Sequence, residues 1–139
     1  MVEKIRVFCV DDDKAATSFY QLAFSFELDM EFVGSRTSTE GLLKAVEAAQ
    51  PSILLLDLLM PGCDTLATLS ELRACFPSLM VLVVSGLDEG DVVTEAFRRG
   101  ASGFSLKTMD FSDLTSVIRR TAAGELVNAG PRLAVSFGG

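Results

Sequence analysis

The 139-residue chain is 49% hydrophobic and 22% charged, the proportions of one ordinary globular domain with a core of its own. Its net charge of −7 argues against autonomous binding to nucleic acid or an anionic membrane, because neutralising phosphates needs a basic surface. It has no histidine, which removes the commonest general base and any phosphohistidine, so aspartate must carry whatever chemistry it performs.

Taken in chain order, apolar runs at 5–10, 30–33, 53–56, 79–84 and 103–106 predict five strands. Helix-like stretches at about 14–28, 38–49, 64–76, 89–99 and 110–123 alternate with them, which predicts an α/β fold of five βα units around a parallel sheet. The third and fourth runs, Ile53-Leu54-Leu55-Leu56 and Leu79 to Val84, are apolar throughout and fit central strands covered on both faces. Ser38 or Thr39 is the expected cap of the second helix, Asp88 of the fourth and Asp110 of the fifth, while Gly100 and Gly124 close the last two. In the fifth helix Leu114, Val117, Ile118 and Thr121 share the face turned to the sheet, leaving Arg119 and Arg120 near the solvated side. Residues 1–124 form the expected domain, and 125–139, with Pro131 and three glycines, read as a C-terminal tail or linker stub.

The thiols Cys9, Cys63 and Cys75 are odd in number and lack metal-ligand spacing, which points to reduced cysteines. No apolar stretch approaches ~18 residues and the N-terminus lacks a signal-peptide pattern, so a cytoplasmic protein without a membrane span is expected.

Two carboxylate clusters end two of the predicted strands: Asp11, Asp12 and Asp13 after the first, and Asp57 after the third. In an open parallel sheet the carboxyl ends of neighbouring strands share an edge, so the clusters can converge on one ligand. A phosphoryl group accepted by aspartate needs a nucleophile, a divalent cation, and donors around its oxygens. Asp57 can supply the first, and Asp11 and Asp12 can hold magnesium, which favours a few carboxylates and several waters. Ser85 and Lys107, at the ends of the fourth and fifth strands, complete the set. Singly these residues are ordinary, since such aspartates often cap helices, Ser-Gly marks turns and most lysines are solvated charges. The reading rests on their joint placement at four strand ends.

The strings VDDD at 10–13, LLLDLLMPG at 54–62, VVSG at 83–86 and GFSLK at 103–107 resemble those of a response-regulator receiver domain, over residues 5 to about 124. The resemblance implies a flavodoxin-like (βα)5 doubly wound parallel sheet of five strands in the order 2-1-3-4-5. It makes Asp57 the phosphoacceptor and Asp12 a direct magnesium ligand, with Asp11 acting through water and Leu59 offering its backbone carbonyl. It gives Ser85 and Lys107 to the phosphoryl oxygens and places Phe104 at an aromatic switch position. Phosphorylation would then shift the population of states on the face formed by the fourth helix, fifth strand and fifth helix. The implied partners are a histidine kinase or phosphotransfer protein, and a second copy or a downstream protein. Such a domain is a phosphoacceptor that assists its own phosphorylation and dephosphorylation rather than an enzyme acting on a separate substrate.

The stretch GASGFSLK at 100–107 with SVIRRTAAGELV at 116–127 is also similar to receivers of the NarL/LuxR-type class, in which a helix-turn-helix output domain follows. This chain stops soon after the fifth helix, so it reads as a stand-alone receiver or the excised regulatory part of a DNA-binding regulator. Three positions depart from the family pattern. Thr65 stands where glycine is common, and Thr108 replaces a proline after the lysine, which leaves a cis bond unsupported because non-proline cis bonds cost ~3 kcal/mol. Leu59 and Leu87 are apolar where the family tunes water access to the acyl phosphate. They are expected to slow autodephosphorylation, so Leu59→Asn and Leu87→Glu should shorten the phosphoryl half-life, and an unchanged half-life would contradict this.

A rival of another class is an aspartate phosphatase of the haloacid-dehalogenase type, with Asp11 as nucleophile and Asp13 as acid/base in a DxD after a strand. It would turn over phosphate esters repeatedly. A receiver-like module that is never phosphorylated is the third reading, and would fail to load phosphate.

Overall fold

The computed structural model describes residues 3–86 and 90–129. Chain order is β1 Ile5–Val10, α1 Lys14–Phe24, β2 Met30–Arg36, α2 Leu42–Ala49, β3 Ile53–Asp57, α3 Thr65–Cys75, β4 Met80–Ser85, α4 Gly90–Arg98, β5 Gly103–Leu106, α5 Phe111–Ala122 and β6 Val127–Ala129. The strands form one sheet in the order β2-β1-β3-β4-β5-β6, and every neighbouring pair is parallel. The expected order 2-1-3-4-5 runs through it, with a sixth strand added beside β5.

Alternation along the strands builds two cores. Phe8, Val10, Leu54, Leu56, Val81, Val83 and Phe104 pack with α2, α3 and α4 through Leu42, Val46, Leu69, Leu72, Val93 and Ala96. The intervening residues Val7, Cys9, Ile53, Leu55, Leu82 and Val84 pack with Phe24 of α1 and Leu114, Val117 and Ile118 of α5. β3 is buried along its whole length, which explains its uninterrupted apolar run.

Helix ends depart from expectation where local hydrogen bonding overrides hydrophobic pattern. α1 stops at Phe24 rather than near residue 28, because Ser25, Phe26 and Glu27 donate to carbonyls three residues back and tighten the chain out of the α-helix. α2 starts at Leu42, not 38; its cap is Gly41 in the left-handed region, φ 68°, and neither Ser38 nor Thr39 caps it. Ser38 Oγ instead accepts from the Glu40 amide within the loop, at 3.3 Å. Asp110 holds the cap position of α5 through its backbone carbonyl, which accepts from Leu114, and its side chain makes no cap bond. Asp88 and Leu87 lie outside the described residues. β2 runs on to Arg36, and its bulge at Val33, opposite Val7 and Phe8, lets the Phe8 ring lie over Gly34.

Gly100 and Gly124 end α4 and α5 with positive φ, as expected. The first residues after Gly124 pack back on the domain, and 130–139 lie outside the described residues. Glu125 donates to the Arg120 carbonyl and is clamped by the Arg120 guanidinium at 2.6 and 3.0 Å, and the chain enters β6. Val127 is buried against α5 and β5, and Gly103 makes room for it. A Cβ at Gly103 would stand 2.9 Å from Thr121 Oγ1, 3.1 Å from Leu82 Cδ1 and 3.3 Å from the Val127 carbonyl. Gly103→Ala is therefore expected to cost about 1–3 kcal/mol by overpacking, measured by urea denaturation, with the residue 127–129 amides losing hydrogen-exchange protection first. In the same last turn of α5, Arg119 reaches Asp29 at 2.7 Å and Glu27 at 2.8 Å, tying the helix to the α1–β2 turn. The Arg119 hydrogen bond holds the Asp29 carboxyl below its usual range.

Candidate functional site

Register places the site. Val10 pairs with Leu56 across β1 and β3, so Asp11 and Asp57 follow on the same edge. Asp57 pairs with Val84 and Ser85 with Leu106, which brings Lys107 to that edge from β5. Ser85 is fully buried and its carbonyl accepts the Lys107 amide at 2.9 Å.

Lys107 Nζ lies 3.0 Å from Asp57 Oδ2 and 3.0 Å from Asp11 Oδ2, bridging two carboxylates that are 2% and 4% exposed. The second oxygens are held by backbone: Leu59 N–H donates to Asp57 Oδ1 and Asp13 N–H to Asp11 Oδ1, each at 2.9 Å. Burial pushes the Asp57 carboxyl above its usual pKa, against the Leu59 N–H and the Lys107 ammonium, which favour the charged form. Burial opposes the charge of Lys107 too, but hydrogen bonds and negative charge from Asp11 and Asp57 outweigh it and raise its pKa.

Asp12, exposed, completes a carboxylate group: one oxygen each from Asp11, Asp12 and Asp57 lies within 4.8 Å of the others. That spread fits one octahedral ion, whose opposite ligands stand ~4 Å apart when each bond is ~2.1 Å. Three carboxylates without a soft ligand suit a hard cation such as magnesium.

Asp13 does not join them; its carboxylate caps α1 by accepting from Ala15 N–H at 3.0 Å. Leu59 exposes its side chain while its amide orients Asp57. Phe104 is fully buried in the core shared with α4, among Val83, Val93 and Ala96. Among the described residues no peptide bond is cis, the one before Thr108 included. Thr65 has a part that its departure from glycine did not foretell: its buried hydroxyl donates to the Leu58 carbonyl at 2.7 Å and pins the loop leaving Asp57. A threonine after a capping aspartate was the available signal, and it reads equally well as a surface residue.

A doubly wound parallel sheet with three clustered aspartates at its carboxyl edge, two of them bridged by one lysine, defines the receiver class of signalling domain. Residues 7–119 match the response regulator receiver domain family, and the chain belongs to it. The nitrate/nitrite response regulator protein NarL of Escherichia coli K12 is 33% identical over 125 residues, covering 90% of this chain and 58% of that protein. The transcriptional regulatory protein DegU of Brevibacillus brevis is 29% identical over 121 residues, covering 87% of this chain and 51% of its own. The chain thus spans a little over half the length of these curated relatives. Among solved structures, the signal receiver domain of the response regulator NarL from Mycobacterium tuberculosis superposes with a TM-score of 0.81 at 29% identity, over 89% of this chain and all of that one. A LuxR-family response regulator from Aurantimonas shares the fold, with a TM-score of 0.83 at 21% identity over 90% and 89% of the two chains. The relatives are two-component response regulators of NarL/LuxR type. Among the described residues no helix is long and apolar enough to cross a membrane.

Proposed function

We propose that this chain is a cytoplasmic receiver that accepts a phosphoryl group on Asp57, in a magnesium-dependent reaction, from a histidine kinase or phosphotransfer protein. The observation that carries this is the approach of Lys107 Nζ to both buried carboxylates, beside an aspartate trio of metal-binding size. A carboxylate oxygen of Asp57 attacks phosphorus, the donor's P–N bond breaks with its electron pair going to the departing imidazole, and an acyl phosphate results. Leu59 N–H fixes the rotation of the attacking carboxylate through Oδ1. Lys107 and Ser85 offer an ammonium and a hydroxyl to the phosphoryl oxygens. Asp12 and Asp57, with the Leu59 carbonyl and Asp11 through water, would hold magnesium, which supplies charge neutralisation for the transferring group.

In the same proposal the signal passes through Ser85 and Phe104 to the α4-β5-α5 face, and from there to a partner, a second copy or an output domain. DegU, which is named a transcriptional regulatory protein, supports the last of these, since this chain matches about half of it. The phosphatase reading is disfavoured by Asp13, whose carboxylate is taken up in capping α1.

Intact-mass analysis after incubation with acetyl phosphate or phosphoramidate tests the proposal. One magnesium-dependent adduct, absent in Asp57→Ala, is expected. Phosphate release that survives Asp57→Ala but not Asp11→Ala would instead establish the phosphatase, and an unreactive wild type the unphosphorylated module.

A further inference from the structure

Tyr20, the sole tyrosine in a chain without tryptophan, stands on α1 with its ring against Phe19 and Phe24, both at 5.9 Å between centroids. It borders two spaces at once. Outside is a cleft of about 500 Å³ shared with Lys107, Leu106, Met109 and Phe111. Toward the sheet is a smaller, partly open cavity of about 10 Å³, lined also by Cys9, Val10, Asp11, Leu55, Asp57 and Val84.

The inner cavity has the size of one water, and a buried water needs two to four polar partners. Its lining residues include two with carboxylate acceptors, Asp11 and Asp57, one with a phenol donor, Tyr20, and one with a weak thiol donor, Cys9. Burial pushes the Tyr20 phenol up to about 12, with Cys9, Asp11 and Asp57 adding to the effect and Lys107 opposing it, so the phenol remains a donor. No hydrogen bond ties this hydroxyl to another protein group among the described residues. A phenylalanine would fill the same aromatic cluster; the hydroxyl is what the tyrosine adds.

We infer that Tyr20 is a positioning residue of the acidic site, its hydroxyl donating through one water in the inner cavity to the Asp11 and Asp57 carboxylates from the α1–α5 side of the sheet. Lys107 reaches the Oδ2 atoms of both carboxylates and backbone amides reach the Oδ1 atoms, so the phenol adds a third support that stays in place when Lys107 turns to a ligand. The inference rests on the site proposed above, but its test does not require phosphoryl transfer.

The test is magnesium titration of the full chain by calorimetry for wild type, Tyr20→Phe and Tyr20→Leu, with tyrosine emission followed in the wild type and phosphoramidate loading measured on the same samples. Tyr20→Phe should weaken magnesium binding about three- to tenfold, the worth of one net hydrogen bond, with an unchanged melting temperature. Wild-type emission should change along the same saturation curve, a response that a purely structural aromatic would not give. Equal magnesium affinity in wild type and Tyr20→Phe overturns the inference, as does wild-type emission indifferent to saturating magnesium. If only Tyr20→Leu binds weakly, the ring and not the hydroxyl is responsible, which also overturns it. A wild type that binds magnesium in this Tyr20-dependent way yet takes no phosphoryl group would sink the phosphoacceptor proposal and leave the positioning role standing.

Discussion

Asp57→Asn is expected to yield a protein that takes no phosphoryl group and yet unfolds at a higher temperature than the wild type near neutral pH. The Asp57 carboxyl is 2% exposed, and burial raises its pKa above the ordinary 3.8 despite the Leu59 amide and Lys107. A carboxyl with a folded-state pKa above its unfolded value stabilises the fold fully below the unfolded value, and that stability is lost as pH rises through the folded value. At neutral pH the wild type therefore carries a penalty that asparagine does not. Asparagine also keeps an oxygen for the Leu59 amide, so the loop geometry survives. The difference should be about 1–2 kcal/mol at pH 7, a few degrees in Tm, and should shrink toward pH 4. Saturating magnesium should narrow it as well, because a ligand that binds only the folded wild type stabilises it by about 2.7 kcal/mol at a hundred times Kd. Thermal unfolding at pH 4, 5 and 7, with and without magnesium, reads all of this. A variant no more stable than wild type at pH 7 without metal would show that Lys107 fully compensates the buried charge.

Lys107→Ala should slow phosphoryl transfer from a small donor about 10²- to 10³-fold, the usual cost of removing one preorganised donor from developing negative charge. It should also cost about 2 kcal/mol of stability in the absence of metal, because it strips the shared cation from two buried carboxylates. Lysine suits the place better than arginine: one nitrogen meets two oxygens at 3.0 Å each, a point-charge geometry that a planar guanidinium fork does not reproduce. Lys107→Arg should therefore recover most of the stability and little of the rate. Single-turnover loading by mass spectrometry at 15 °C with magnesium present separates the two effects. A rate within threefold of wild type for Lys107→Ala would remove Lys107 from the chemistry.

The sheet and its carboxylate edge were legible because their determinants are strong and local. An apolar run such as Ile53 to Leu56 ending in Asp57 specifies both a buried strand and what stands at its end. Convergence of Asp11, Asp57 and Lys107 follows from parallel pairing, a topological consequence and not a pairwise one. Less legible were features decided by contacts between distant segments. β6 is three residues long beside Pro131 and a glycine, and its burial depends on Gly103 and α5 rather than on its own pattern. The start of α2 turned on one left-handed glycine, where Ser38 and Thr39 offered equally good caps. Tyr20 gave no sign at all, since an aromatic on the inner face of a helix looks the same whether it faces carbon or carboxylate.

The pairing of Val127, Asn128 and Ala129 with Gly103, Phe104 and Ser105 changes what the molecule offers to its own kind. Without it, β5 would end the sheet with a row of unpaired amides and carbonyls running toward Lys107, an open template for strand addition by another chain. With it, the last described strand on that side is too short to template much and carries an exposed Asn128 at its centre. The opposite border, β2, is longer but interrupted by a bulge at Val33, opposite Val7 and Phe8 of β1, and marked by the charges of Glu31 and Arg36. Among the described residues both margins are poor seeds for cross-β growth, so the sheet can bury its central strands without becoming a nucleus for aggregation.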